Sequence, residues 1–169
     1  MIRAFAALTA MIALGLCGGT AVVSAAVGSN GLGVGFIKPL AHSSVSQGFG
    51  CSSFAFEPVD GACPGGHWHS GIDLAAARGT PVMATLPGSV AITVSATGYG
   101  LHVVIDHGGG LSSLYGHLDT ALVMTGDFVT AGQVIGTVGS SGNATGPHLH
   151  FEIRRDGIAE DPRLDLTLP

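Results

Sequence analysis

The sequence predicts an all-β domain, an antiparallel sandwich or barrel, preceded by one hydrophobic helix at the N-terminus. Three observations predict it. Short alternating or apolar runs recur after residue 45 with glycines between them, the pattern of strands at regular spacing joined by tight turns. No stretch beyond residue 27 carries a long helical period. The 169 residues include 28 glycines, and the length suits one domain with a real core.

The elements follow in order. Residues 4–27, AFAALTAMIALGLCGGTAVVSAAV, carry no charge and follow Arg3. One reading is a secretory signal, with a basic start, an apolar centre and a small-residue cleavage site at Ala25 or Ala26. The other is an uncleaved membrane anchor, which needs about 20 apolar residues. Cys17 suggests a lipoprotein site, and the bulky Leu16 before it argues against one. Each reading carries the domain out of the cytoplasm, to a secreted or cell-envelope location. As an anchor, the segment would also contact the membrane. Residues 28–45 are rich in Gly and Ser, include Pro39, and read as a linker. The domain is expected over residues 46–160. Its strand candidates are PVMAT (81–85), GSVAITVSA (88–96), LHVVIDH (101–107), LSSLYGHL (111–118), FVTAG (128–132), QVIGTVG (133–139) and HLHFEIRR (148–155). Residues 161–169 read as an extended tail.

Composition narrows the function. The formal net charge is −5, which argues against nucleic acid as a partner. Charged residues make up only 10% of the chain, and the eight histidines outnumber the six Lys and Arg. That excess points towards metal or acid–base chemistry, although several of the eight fit turns equally well. Cys51 and Cys63 flank a short loop containing Gly and Pro. In an oxidising compartment they are expected to form a disulfide, with a loop-closure contribution of roughly 3 kcal/mol in the chain-entropy model. Metal binding through Cys63, six residues before His69, is the rival reading.

The segment GPHLHFEI, residues 146–153, concentrates the signal. On a strand, side chains alternate between faces. Leu149, Phe151 and Ile153 then share an apolar face, and His148, His150 and Glu152 share the other. Upstream, His69 and Asp73 stand four apart, and Tyr115 and His117 stand two apart. A catalytic zinc takes three protein donors and keeps one position open. His69, Asp73 and one of His148 or His150 would supply such a set.

Three segments together, HSGIDLAAARGTPV (69–82), LYGHLD (114–119) and GQVIGTVGSSGNATGPHLHFEI (132–153), resemble the LytM/lysostaphin family of zinc endopeptidases, which cut peptidoglycan peptides. The resemblance spans roughly residues 44–160. It implies a peptidase domain of the duplicated hybrid motif type, with Zn2+ as cofactor and peptidoglycan as partner. It also implies His69, Asp73 and His150 as metal ligands, with His117 and His148 as catalytic histidines that move protons. The chain lacks the H-E-x-x-H helix of other zinc proteases. Tyr115, expected on the face of His117, is a candidate substrate or oxyanion contact. Glu152 is a candidate acceptor for the second N–H of a ligating histidine. His67 would share a face with His69 and is read as a rim residue; His102 and His107 are read as structural.

Three other classes compete. A wall-binding or hydrolase-activating module of the same fold would normally lack a ligand, and none is missing here. A biotinyl- or lipoyl-type carrier is suggested by GDFVTAGQVIGTVG (126–139), yet the only lysine is Lys38. A sugar phosphotransferase subunit would also pair histidines, but export and His-x-x-x-Asp weigh against it.

Overall fold

The computed structural model describes residues 35–166. The N-terminal hydrophobic segment, with its expected helix, lies outside the described residues. In chain order the strands are β1 Ser44–Gln47, β2 Gly50–Ser52, β3 His67–His69, β4 Ile72–Ala75, β5 Pro81–Met83, β6 Gly88–Val94, β7 Leu101–Gly108, β8 Leu111–Gly116, β9 Leu118–Ala121, β10 Phe128–Val129, β11 Val134–Val138, β12 His148–Arg155 and β13 Ile158–Glu160. One 3-10 turn, Pro162–Leu164, follows. Among the described residues there is no α-helix, so this region is all-β.

All the ladders are antiparallel. The main sheet runs β1-β4-β12-β8-β7-β6-β10, with β13 also on β12. A three-stranded sheet, β5-β11-β9, and a two-stranded one, β2-β3, complete the fold. Strand β12 is central. Its alternation sends Leu149, Phe151 and Ile153 fully into the core, beside Ile72 and Leu74 of β4 and Tyr115 of β8. Burying each such side chain stabilises the fold by about 1.5–3 kcal/mol. The opposite face of the same strand is thereby left free to carry His148, His150 and Glu152.

Both ends of the domain differ from the sequence reading. The linker expected over 28–45 is part of the body from Phe36 onward. Leu40 is buried and Phe36 packs against the core. Ile37 N–H donates to Thr85 O (2.9 Å), and Met83 N–H donates to Pro39 O (2.9 Å). Gly and Ser are frequent in that stretch, but large apolar side chains decide where it lies. The tail is likewise docked. Leu166 is buried in the core, Asp161 caps the 3-10 turn by accepting from Arg163 N–H, and Arg155 pairs with Asp165 (2.8 Å).

Cys51 and Cys63 form a disulfide with their Cα atoms 5.2 Å apart. It closes the loop between β2 and β3, where Cys51 lies opposite Trp68.

Tyr115 requires a correction. It lies on the core face, paired with Phe151, with none of its surface exposed. Its hydroxyl accepts from the buried Thr85 N–H (2.8 Å) and lies 3.0 Å from the Ser113 hydroxyl. Continued alternation would keep Tyr115 and His117 on one face. Strand β8 ends at Gly116 instead, and His117 adopts a left-handed backbone, φ 59°. That break aims the imidazole away from the core face, and Tyr115 is no substrate contact. Tyr115→Phe should destabilise the domain by about 1–3 kcal/mol, because the Thr85 N–H loses its partner. Denaturant unfolding measures the loss, while turnover on substrate should stay at the wild-type value; a large drop in turnover would return Tyr115 to the site.

Candidate metal centre

Three side chains, one from each of three strands, meet at the polar face of the main sheet. His69 ends β3, Asp73 lies in β4 and His150 lies in β12. Asp73 and His150 are direct cross-strand partners, which places their side chains side by side on one face. On the other flank His150 faces Gly116. A Cβ there would lie 3.3 Å from the His150 Cβ, so the glycine leaves the ring its room. All three side chains are buried. His69 Nε2 is 3.2 Å from Asp73 Oδ1 and 3.0 Å from His150 Nδ1. His150 Nδ1 is 3.0 Å from Asp73 Oδ1.

The outer nitrogens fix what this cluster needs. His69 Nδ1 faces Gly48 O (2.8 Å). A carbonyl only accepts, so that nitrogen carries the proton and Nε2 presents a lone pair. His150 Nε2 faces the Glu152 carboxylate (3.0 Å), so Nδ1 of the neutral ring presents one too. Burial opposes ionisation of Asp73, but the adjoining His150 and His69 rings outweigh it and hold its pKa low, so it is a carboxylate. Three acceptor atoms therefore converge, and they demand a cation. Burial also opposes charge on His150, yet its contacts with Asp73 and Glu152 raise its pKa to about 9. A proton on that ring answers the demand in part. A divalent ion satisfies all three atoms together, and His2Asp is a zinc-type donor set. His69, Asp73 and His150 are the residues that would hold it, and their lone pairs fit it.

Glu152 is fully buried and takes four donors. His150 Nε2, the Ser70 hydroxyl (2.6 Å) and the Tyr99 hydroxyl (2.7 Å) meet its Oε1, and Arg154 Nε meets Oε2. Burial pushes its pKa up, and these partners, His150 first, pull it below the usual range. It thus orients the His150 ring, as supporting groups around ligands do.

His117 and His148 stand beside the cluster, with ring centroids 4.7 Å apart. His117 Nδ1–H donates to Ser141 O (2.7 Å), and His148 Nδ1–H donates to Gly146 O (2.8 Å). Each therefore keeps Nε2 as an acceptor. Nε2 of His148 lies 3.7 Å from Asp73 Oδ2. Burial lowers the His117 pKa to about 4, so its ring is neutral near pH 7. Two adjoining hollows of about 180 and 300 Å³ share Glu57, His117 and Asn143 as lining, and form the approach to the cluster.

The remaining histidines are placed elsewhere. His67 Nδ1–H donates to Glu57 O (2.8 Å). His102 bonds to Gly100 O, and His107 to Pro87 O and Ser113. Sequence reasoning missed Tyr99 and Glu57. Both come from non-periodic loops, where nothing in the pattern singles them out. Glu57 is raised in pKa by burial, against the pull of His69 and His150.

The profile of Peptidase family M23 matches residues 67–162. The chain is 39% identical over 135 residues to DD-carboxypeptidase/endopeptidase Mpg of Neisseria meningitidis serogroup B, a match that covers 79% of this chain and 29% of Mpg. It is 48% identical over 93 residues to the murein hydrolase activator EnvC of Escherichia coli, covering 55% of this chain and 22% of EnvC. The chain thus spans less than a third of either relative. Among solved structures, a zinc containing peptidase from Vibrio cholerae superposes with a TM-score of 0.62 at 32% identity, covering 78% of this chain and 39% of that one. With its profile matched over more than half of the sequence, the chain belongs to peptidase family M23.

Proposed function

We propose that this protein is an exported zinc metalloendopeptidase that hydrolyses peptide bonds in the stems or cross-bridges of bacterial peptidoglycan. The observation that carries the reading is the convergence of His69, Asp73 and His150, with two further imidazoles facing the same hollows. When bound, zinc supplies Lewis acidity to the scissile carbonyl and acidifies water. The chain's own part is positional. His117 and His148 offer Nε2 acceptors beside the ligands, able to take a proton and return it to the leaving amine. Their protonated forms are N–H donors for the developing oxyanion. Glu152 keeps the His150 ring in its orientation. The match to Mpg supports peptidoglycan peptides as the substrate class, and the uncharged segment 4–27 supports an extracytoplasmic site of action.

A second reading is favoured by the match to EnvC: a hydrolase-activating module without activity of its own. One experiment separates the two. Zinc content is measured on the purified chain, together with release of soluble fragments from purified peptidoglycan, with and without chelator. One zinc per chain and chelator-sensitive release support the peptidase, and the new amino termini identify the bond cut. Bound zinc without release from any wall type supports the activator.

A further inference from the structure

One tyrosine reaches both halves of the site from outside it. Tyr99 lies in the turn that joins β6 to β7 and lines the larger of the two hollows. Metal binding calls on His150, and proton transfer calls on His117. Tyr99 touches each of them through a different group.

Its side chain faces the ligand. The hydroxyl donates to Glu152 Oε1 (2.7 Å), the oxygen that also meets His150 Nε2. Arg154 Nη2–H donates to the hydroxyl oxygen (3.3 Å). A guanidinium only donates, so the phenol proton is left for Glu152. The aromatic ring packs against the His150 ring, with centroids 5.2 Å apart and planes tilted by 37°. His150 is thus held at one edge through Glu152 and on one face by the phenol.

Its backbone faces the other histidine. Tyr99 O accepts from His117 N–H (2.8 Å), the amide of the left-handed residue just beyond β8. The His117 ring is held separately, by Ser141 O. The turn carrying Tyr99 and the loop carrying Ser141 are joined in turn. Asn143 N–H donates to Gly98 O (2.9 Å), and Leu101 N–H donates to Ser141 Oγ (2.9 Å). A Cβ on Gly100 would lie 2.4 Å from Ser141 Oγ, and one on Gly142 would lie 2.4 Å from Gly100 N. Glycine at both positions lets the two backbones meet.

We propose that Tyr99 is a positioning residue that couples the two halves of the site: its phenol holds the His150 ring for the metal, and its carbonyl holds the turn that aims His117 into the same hollow. Ligating histidines keep their orientation through such partners, and proton transfer depends on a group held within reach. The effect on cleavage rests on the peptidase reading; the hold on His150 and His117 does not.

The test compares the full chain with Tyr99→Phe and Tyr99→Ala. Zinc affinity is measured by competition with a chromophoric chelator, the visible bands of the Co2+-loaded proteins are recorded, and amide hydrogen exchange is followed at His117. Tyr99→Phe removes only the hydroxyl. It should weaken zinc binding by about 10-fold, the low end for loss of a group that supports a ligand, because Ser70 and Arg154 still hold Glu152. Tyr99→Ala also removes the ring and should cost more, up to about 100-fold. The Co2+ bands should shift in both variants. Exchange at His117 should stay slow in Tyr99→Phe and quicken in Tyr99→Ala, beyond any change in the β12 amides, as the turn loses its packing. At saturating zinc, kcat should fall in both variants with KM near wild type. Zinc affinity within about twofold of wild type and unchanged Co2+ bands in Tyr99→Phe overturn the hold on His150, whatever unfolding by denaturant shows. Unchanged exchange at His117 in Tyr99→Ala overturns the hold on His117. If even the wild-type chain cleaves nothing, affinity, spectra and exchange still decide the role of Tyr99, and only the peptidase reading fails.

Discussion

Asp73→Ala should lose bound zinc and peptidoglycan cleavage together. Asp73 is the anionic member of the proposed donor set, and its Oδ1 lies within 3.2 Å of His69 Nε2 and His150 Nδ1. Without it, two imidazole lone pairs face each other at 3.0 Å with no negative charge between them to hold a dication. Removing a group that merely supports a ligand weakens metal binding by about 10–100-fold, and removal of a charged ligand should exceed that. Cleavage should drop to the chelator-treated level. Asp73→Asn keeps the shape without the charge and should behave almost as badly. The measurement is zinc per chain after dialysis, beside fragment release. Stoichiometric zinc in dialysed Asp73→Ala would mean that the metal sits elsewhere.

His117→Ala should give the opposite pairing of results: zinc retained, cleavage lost. The His117 ring does not belong to the converging triad. Its Nδ1–H is committed to Ser141 O, so Nε2 is what it offers to chemistry. Positioned proton transfer contributes typically 10²–10⁴-fold to rate, and a loss of that order in kcat is expected with unchanged metal content. Activity that survived the substitution would remove His117 from the mechanism and leave His148 to handle protons alone.

The fold class was legible because β-strands write their period into the sequence. Leu149, Phe151 and Ile153 alternate with His148, His150 and Glu152, and the structure keeps that alternation through the whole of β12. The meeting of Asp73 with His150 follows from the same rule, once β4 is placed beside β12; His69 arrives from the end of β3. What stayed hidden depends on departures from periodicity. Tyr115 and His117 are two apart, yet one left-handed residue separates their faces, and no local signal marks His117 as that residue. Glu57 and Tyr99 reach the cluster from loops whose paths are set by tertiary contacts. The docked segment before β1 was masked by its Gly and Ser content, although Phe36 and Leu40 were in plain view. Small residues dominate a composition count, whereas large apolar ones dominate burial.

The place of β12 in the sheet also bears on how the protein comes into being. A ribosome delivers the chain from its N-terminus, and β12 is nearly the last strand to emerge. It is also the strand that joins β4 to β8. Until it arrives, the main sheet is in two parts, β1-β4 and β8-β7-β6-β10, each with an open hydrogen-bonding edge. Such edges are sites of misassembly in a chain dominated by long-range pairings. His150 travels on that same late strand. The step that joins the two halves of the sheet is therefore the step that completes the cation site, so a nascent or truncated chain has neither a finished fold nor a place for the metal.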